Sequence, residues 1–252
     1  MNRKDNVWLE FLMQFPPSLR ISISKILSKI IFISLREMAE NLAHLLDIVI
    51  DDFNKTNIVI FNNAWQKSSS AWSYFSNFFN DKKIRCISPK DVLNIIEKLG
   101  INDEYYFIFI DDVIGTGSQF LKLFNKEFQD QILKIKQIVK TNKKIYFYLI
   151  AGVGTTNSKE LLSKNIDFLP RTNILYYYNL RESDKALHYD NFINKKDLVS
   201  ITTFLKEKDP NWWNGYKDSQ LLIILQWNTP NNTIGCLWHD TKNWKPLFPR
   251  AL

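Results

Sequence analysis

Phe107-Ile-Phe-Ile-Asp-Asp-Val-Ile-Gly-Thr-Gly-Ser-Gln119 decides the fold. Tyr105 to Ile110 is an unbroken apolar and aromatic run, which suits a strand buried on both faces. Two carboxylates, Asp111 and Asp112, close it. A short loop with Gly115, Thr116 and Gly117 follows, and a helix is expected from Thr116 to the region of Lys140. Upstream, Ile58 to Phe61 reads as a buried strand, the loop from Asn62 to Ser68 leads into a helix carrying Trp72, Phe75 and Phe79, and Asp91 to Leu99 is a short helix. Downstream, Lys144 to Ala151 is a second buried strand ending in Gly152. Thr156 or Asn157 is placed to cap the next helix, and Ile174 to Tyr178 is a further strand. Strands alternating with helices imply an α/β fold with a mostly parallel sheet flanked by helices.

The flanks differ from this core. Trp8, Phe11, Leu12 and Phe15 share one helical face until Pro16 and Pro17 stop the helix, and an apolar-periodic stretch runs from Ser22 to Phe53. After Asp209 the composition shifts: Trp212, Trp213, Trp227, Trp238 and Trp244 crowd the tail, with a strand expected over Leu221 to Leu225. The expected organisation is a helical N-terminal extension (1–54), an α/β core (55–209) and a Trp-rich C-terminal cap (210–252), integrated as one domain.

The 252 residues, 45% hydrophobic and 23% charged, exclude collagen-like, disulfide-stapled and wholly disordered classes. Apolar runs fall short of the roughly 20 residues of a spanning helix; the longest candidate, Ile23 to Leu35, is cut by Lys25 and Lys29. The start carries Asp5 and Glu10 where a signal peptide would be apolar, and Cys86 and Cys236 suggest no disulfide framework. A cytoplasmic protein with no membrane partner is the expectation. A net charge of +7 suits an anionic partner, either nucleic acid or a phosphorylated small molecule. A Lys-, Asn- and Ile-rich coding bias accounts for the same charge.

The acid-and-glycine segment has a chemical logic. Strand ends of parallel sheets open on the crevice where ligands bind. Glycines let backbone N–H groups curl around a phosphate, the helix start adds favourable dipole, and Thr116 and Ser118 offer hydroxyls. Two acids beside an anion make sense if the ligand also carries hydroxyls or a cation. A ribose 5-phosphate fits: phosphate on the loop, 2′ and 3′ hydroxyls on Asp111 and Asp112. The plain alternative is a strand–turn–helix with acids at a solvated strand end.

That segment resembles the signature of the phosphoribosyltransferase family, matched by Asp111, Asp112, Thr116, Gly117 and Ser118. Gln119 departs from the Thr or Ser usual there, and Gly115 loosens the loop. The resemblance implies a phosphoribosyltransferase-type fold that binds phosphoribosyl pyrophosphate or a nucleotide. It also implies Mg²⁺, held indirectly by Asp111 and Asp112. It further implies a pyrophosphate loop after the first core strand, where Asn62 to Ser70 offers Lys67 for the leaving group, with Ser68. Read without the resemblance, that loop is a serine cap with a solvated lysine. The leader from Trp8 to Arg20, the variant loop ending in Gln119 and the tail segments Asn228 to Gly235 and Trp244 to Arg250 are similar to phosphoribosyltransferase-like proteins of bacterial conflict and anti-phage loci, some of retron type. This implies a reverse transcriptase or ATPase partner from the same locus.

In the tail, Asn231 and Asn232 present amides, Arg250 a planar fork for phosphate and Trp238 a ring for a base; the alternative makes the tryptophans the core of a cap. His239 beside Asp240 has the form of a general base or of a surface histidine. Gly152-Val-Gly154-Thr-Thr156 lacks the third glycine of a dinucleotide fingerprint, so it is expected to line the same crevice rather than bind NAD, and no Cys or His spacing suggests zinc. Three function classes follow. One is an enzyme acting at the ribose anomeric carbon, as a transferase or by cleaving an N-glycosidic bond. Another is a non-catalytic nucleotide sensor or partner-binding module of a defence complex. The third is an interaction protein that uses its basic surface on nucleic acid or a reverse transcriptase complex.

Overall fold

The computed structural model describes residues 3–50, 57–61, 85–87, 91–98, 104–128, 131–141, 144–189 and 193–250. The strands are β1 (Ile31–Ile33), β2 (Asn57–Phe61), β3 (Arg85–Ile87), β4 (Tyr105–Ile114), β5 (Ile145–Thr155), β6 (Ile174–Leu180) and β7 (Ile223–Leu225). The helices are α1 (Arg3–Met13), α2 (Arg20–Leu27), α3 (Leu35–Val49), α4 (Val92–Ile96), α5 (Ser118–Phe128), α6 (Ile132–Thr141), α7 (Thr156–Asn165) and α8 (Lys195–Lys208). They form two compact units, 36–179 and the pair 1–35 with 180–252.

The 36–179 unit holds a sheet of order β3-β2-β4-β5-β6, in which β2 runs parallel to both β3 and β4, and β4 parallel to β5. This is the α/β arrangement the strand–helix alternation implies. The long central strands exist because both of their faces are covered. On one face Phe120, Phe124 and Phe128 recur every fourth residue of α5, and all three rings stand edge-on to Phe109 of β4 at 5.5, 5.9 and 5.7 Å. Phe107 stacks on Phe147 of β5 on that same face. The other face carries the buried Ile108, Ile110 and Ile150. There Met38 of α3 lies so close to Gly152 that a Cβ at that position would stand 2.0 Å from its sulfur.

The 1–35 and 180–252 unit is built around a two-stranded parallel pair, β1 with β7, registered Ile31 to Ile223 and Ile33 to Leu225. Its core joins Phe11 and Phe15 of the leader to Ile201 and Leu205 of α8 and to Leu237 and Trp244 of the tail. Trp244 stands edge-on to Phe11, Phe15 and Phe204. Its indole N–H donates to the Cys236 carbonyl at 2.9 Å.

Four local expectations are corrected. The first 50 residues are not all helical: Ile31–Ile33 pairs with β7, because a short β-branched run takes whichever partner its backbone meets. The strand read as Tyr105 to Ile110 continues to Ile114, with Asp111 opposite Ala151 and Val113 opposite Val153. Ladder pairing with β5 there overrides the poor strand propensity of aspartate. The helix expected from Thr116 to Lys140 is two, α5 and α6. The α7 cap is Thr155, one residue before those named from sequence. No helix among the described residues is long and apolar enough to cross a membrane.

Candidate functional site

The sheet order reverses between β2 and β4: from β2 the chain steps outward to β3, then returns to place β4 on the other side. In open α/β sheets the crevice outside such a reversal, at the carboxyl ends of the strands, is where ligands bind. β2 ends opposite Phe109, and β4 runs on to Ile114 with β5 as its described neighbour. Asp111 and Asp112 stand on that extension, past the end of β2.

Both acids are turned onto the backbone that follows them. Asp111 Oδ1 accepts from the Asp112 N–H at 2.9 Å, and Asp112 Oδ1 accepts from the Val113 N–H at 2.7 Å. Asp111 is buried at 8% exposure, while Asp112 is half-buried. Asp111 also acts on Tyr176 of β6. Burial pushes the Tyr176 hydroxyl above its ordinary range, a hydrogen bond with Ser158 works against this, and the negative charge of Asp111 adds to it. Tyr176 is a neutral phenol.

The loop after β4 turns at Gly117, whose φ of +72° is a conformation glycine adopts without strain. A Cβ there would also stand 3.2 Å from the Ser158 Cβ. Thr116 Oγ1 donates to Ser118 Oγ at 3.2 Å. Gly115 and Gly117 are buried, Thr116 and Ser118 half-buried, and Gln119 is exposed. The loop leans on the neighbouring β5–α7 turn. Thr155 Oγ1 donates to the Gly115 carbonyl at 2.7 Å. Ser158 Oγ lies 3.1 Å from the Ile114 carbonyl and 3.1 Å from the Tyr176 hydroxyl. Gly154 lets the Tyr176 ring close on β5, since a Cβ there would fall 2.2 Å from the ring.

Asp111, Asp112, Gly115, Thr116, Gly117, Ser118 and Gln119 thus share one strand end and its loop. Lys67 and Ser68 lie outside the described residues, as do Trp72, Phe75 and Phe79. Thr155 belongs to the Gly152–Thr156 segment that the sequence places along the crevice, whereas Ser158 and Tyr176 join the site without having been singled out from sequence. The Thr155-x-x-Ser158 spacing of a capping box, directly after a buried strand, is the signal that could have found Ser158.

The tail residues gather in the other unit. Trp238 is 7% exposed and donates its indole N–H to the Thr233 carbonyl at 2.8 Å. Arg250 lies over its ring at 5.8 Å. The Asn231 and Asn232 carbonyls accept from the Tyr216 and Leu221 N–H groups. Of the two readings of the tail tryptophans, burial favours the core. His239 is paired with Asp209 through Nδ1 at 2.7 Å, whereas Asp240 pairs with Lys245. Burial, and then the charge of Asp209, push the Cys236 thiol up, so it is no thiolate nucleophile.

Among the described residues no group of three or more His, Cys, Asp or Glu is placed to hold a metal ion. Asp111 and Asp112 offer hard oxygen donors in a pair. This suits an ion that completes its shell with water and ligand phosphate, as Mg²⁺ does.

The PRTase-CE family model matches residues 8–250 of the chain. No curated protein matches it.

Proposed function

The chain belongs to the PRTase-CE family and is phosphoribosyltransferase-like over nearly its whole length, and on that premise we propose that it binds a ribose 5-phosphate ligand, phosphoribosyl pyrophosphate or a nucleotide, at the end of β4 and acts at the anomeric carbon. The observation that carries this is the placement of two carboxylates and a left-handed glycine turn on one strand end, beside the reversal of sheet order. The turn from Gly115 to Ser118 and the start of α5 take the 5-phosphate. Asp111 and Asp112 accept from the ribose hydroxyls and orient the ring. The transition state at the anomeric carbon is oxocarbenium-like, so positioning and charge stabilisation of the leaving group dominate the rate. Lys67 is assigned to the leaving group from its sequence context. Asp111 and Asp112 are the residues that would hold Mg²⁺, which would supply positive charge to a pyrophosphate. A setting in bacterial anti-phage defence, with a reverse transcriptase or ATPase partner, is supported by the resemblance of the leader and tail.

Calorimetry with phosphoribosyl pyrophosphate and ribose 5-phosphate, followed by product analysis, tests the reading. Wild-type protein should bind, and Asp112→Asn should weaken binding about ten- to a hundredfold, the loss of one charge-assisted hydrogen bond. Release of pyrophosphate from phosphoribosyl pyrophosphate marks the enzyme. Binding without release marks the sensor, the reading that the replacement at Gln119 favours. A folded wild type that binds neither ligand overturns both.

A further inference from the structure

A phosphate-binding turn works only if its N–H groups face the ligand, and a glycine-bearing loop does not secure that by itself. Here the loop's carbonyls are engaged on one side. Ile114 C=O meets Ser158 Oγ at 3.1 Å and Gly115 C=O meets Thr155 Oγ1 at 2.7 Å, both on the β5–α7 turn. No peptide bond in the described chain is cis, so each carbonyl is opposed across its peptide plane by the N–H of the next residue. Fixing these two carbonyls toward β5 turns the N–H groups of Gly115 and Thr116 the other way. In the order β2-β4-β5 the other way is toward β2, the side of the crevice.

We propose that Thr155, Ser158 and Tyr176 form a hydroxyl brace that holds the amides of Gly115 and Thr116 toward an incoming phosphate, acting as positioning residues for the site. The proposal rests on the ribose 5-phosphate reading above and adds residues to it.

The protons of the brace can be followed atom by atom. Thr155 Oγ1 gives its proton to Gly115 C=O and accepts from the Ser158 N–H at 3.0 Å. Ser158 Oγ has one proton, shared between the carbonyls of Ile114 and Thr155, the latter at 2.8 Å. Its contact with Tyr176 at 3.1 Å joins two hydroxyls, either of which can donate. Ser158 is wholly buried and Tyr176 nearly so, which leaves water little access as a substitute partner. Because Tyr176 also feels Asp111, the brace connects the acid pair to the loop.

The test titrates ribose 5-phosphate and, separately, inorganic phosphate into wild type, Thr155→Val, Thr155→Ser, Ser158→Ala and Tyr176→Phe. A melting temperature is recorded for each. Thr155→Val should weaken both ligands about three- to tenfold, the range of one neutral hydrogen bond. Thr155→Ser should bind as wild type does. Ser158→Ala should match Thr155→Val, and Tyr176→Phe should lose less. Thr155 also caps α7, so a cap lost elsewhere serves as control: Asn194 accepts from the Asp197 N–H at the start of α8. Asn194→Ala should lower the melting temperature comparably and leave affinity unchanged. If Thr155→Val does not fold, Thr155→Ser and Tyr176→Phe still decide, because the brace requires the first to keep affinity and the second to lose some. Wild-type affinity in folded Thr155→Val and Ser158→Ala overturns the brace alone. A wild type that binds neither probe overturns the ribose 5-phosphate reading and the brace with it.

Discussion

Two buried aspartates, one in each unit, are held in different ways. Asp111 is 8% exposed, and its Oδ1 accepts from the N–H of its own neighbour. Asp209 is 4% exposed and is tied to distant chain: Oδ2 meets His239 Nδ1 at 2.7 Å and Oδ1 accepts from the Trp212 N–H at 3.1 Å. The first is a strand-end acid held by local backbone beside a glycine turn. The second fastens the end of α8 to the tail. The turns near them differ in the opposite sense. The site turn takes positive φ at glycine. The tail turn takes it at Gly215 and also at Lys217, Asp218 and Gln220, where Asp218 accepts from Asn214 and Gln220 side chains at 2.9 and 2.8 Å. The tail turn is held by side chains of its own loop, whereas the site turn is held by hydroxyls of the β5–α7 turn, which engage the Ile114 and Gly115 carbonyls.

Substitutions in the tail should act on stability first. Trp244→Ala removes a side chain 2% exposed at the centre of its unit and should cost about 3–5 kcal/mol, read by denaturant unfolding. A change under about 1 kcal/mol would move the tail core elsewhere. Gly154→Ala drives a Cβ to 2.2 Å from the Tyr176 ring and should cost about 1–3 kcal/mol and weaken ribose 5-phosphate binding. Wild-type binding in that variant would detach Tyr176 from the site.

The acids sharpen the comparison. His239→Gln removes the imidazole partner of buried Asp209 and should cost about 1–3 kcal/mol of stability with ligand affinity unchanged. Asp112→Asn should do the reverse, lowering affinity with little change in melting temperature. If the two variants exchange phenotypes, the assignment of the two regions is inverted.

The smallest effect concerns Tyr178, whose hydroxyl donates to Glu37 Oε1 at 2.7 Å. That bond first, then burial, pushes its pKa from 10.0 up to about 12. The folded value is raised, so the bond's contribution is fully present below pH 10 and is lost as pH rises through about 12. Absorbance titration of tyrosinate should show one late-ionising group vanish in Tyr178→Phe. An unchanged titration curve would remove the bond from the account.

The central sheet was legible because its signals are strong and local: an unbroken apolar run from Tyr105 and short apolar strands alternating with helices. The acid pair and glycine turn were legible because carboxylates and glycines at a strand end are rare in combination. β1 was not, since a three-residue strand owes its state to β7, some 190 residues away in sequence. Neither was the Asp209–His239 pair. Sequence adjacency pointed His239 to Asp240, whereas the fold brings up a residue 30 positions distant. The brace was missed for the same reason: Ser158 reaches Ile114 across 44 residues.

The central claim is that the turn after β4 receives a phosphate. Amide nitrogen and proton NMR shifts followed during titration with ribose 5-phosphate test it most directly. The account predicts that Gly115, Thr116, Gly117 and Ser118 move together and saturate at one ligand per chain. The indole N–H signals of Trp238 and Trp244, held by Thr233 and Cys236, should stay in place. Saturable binding that leaves those four amides unmoved would contradict it.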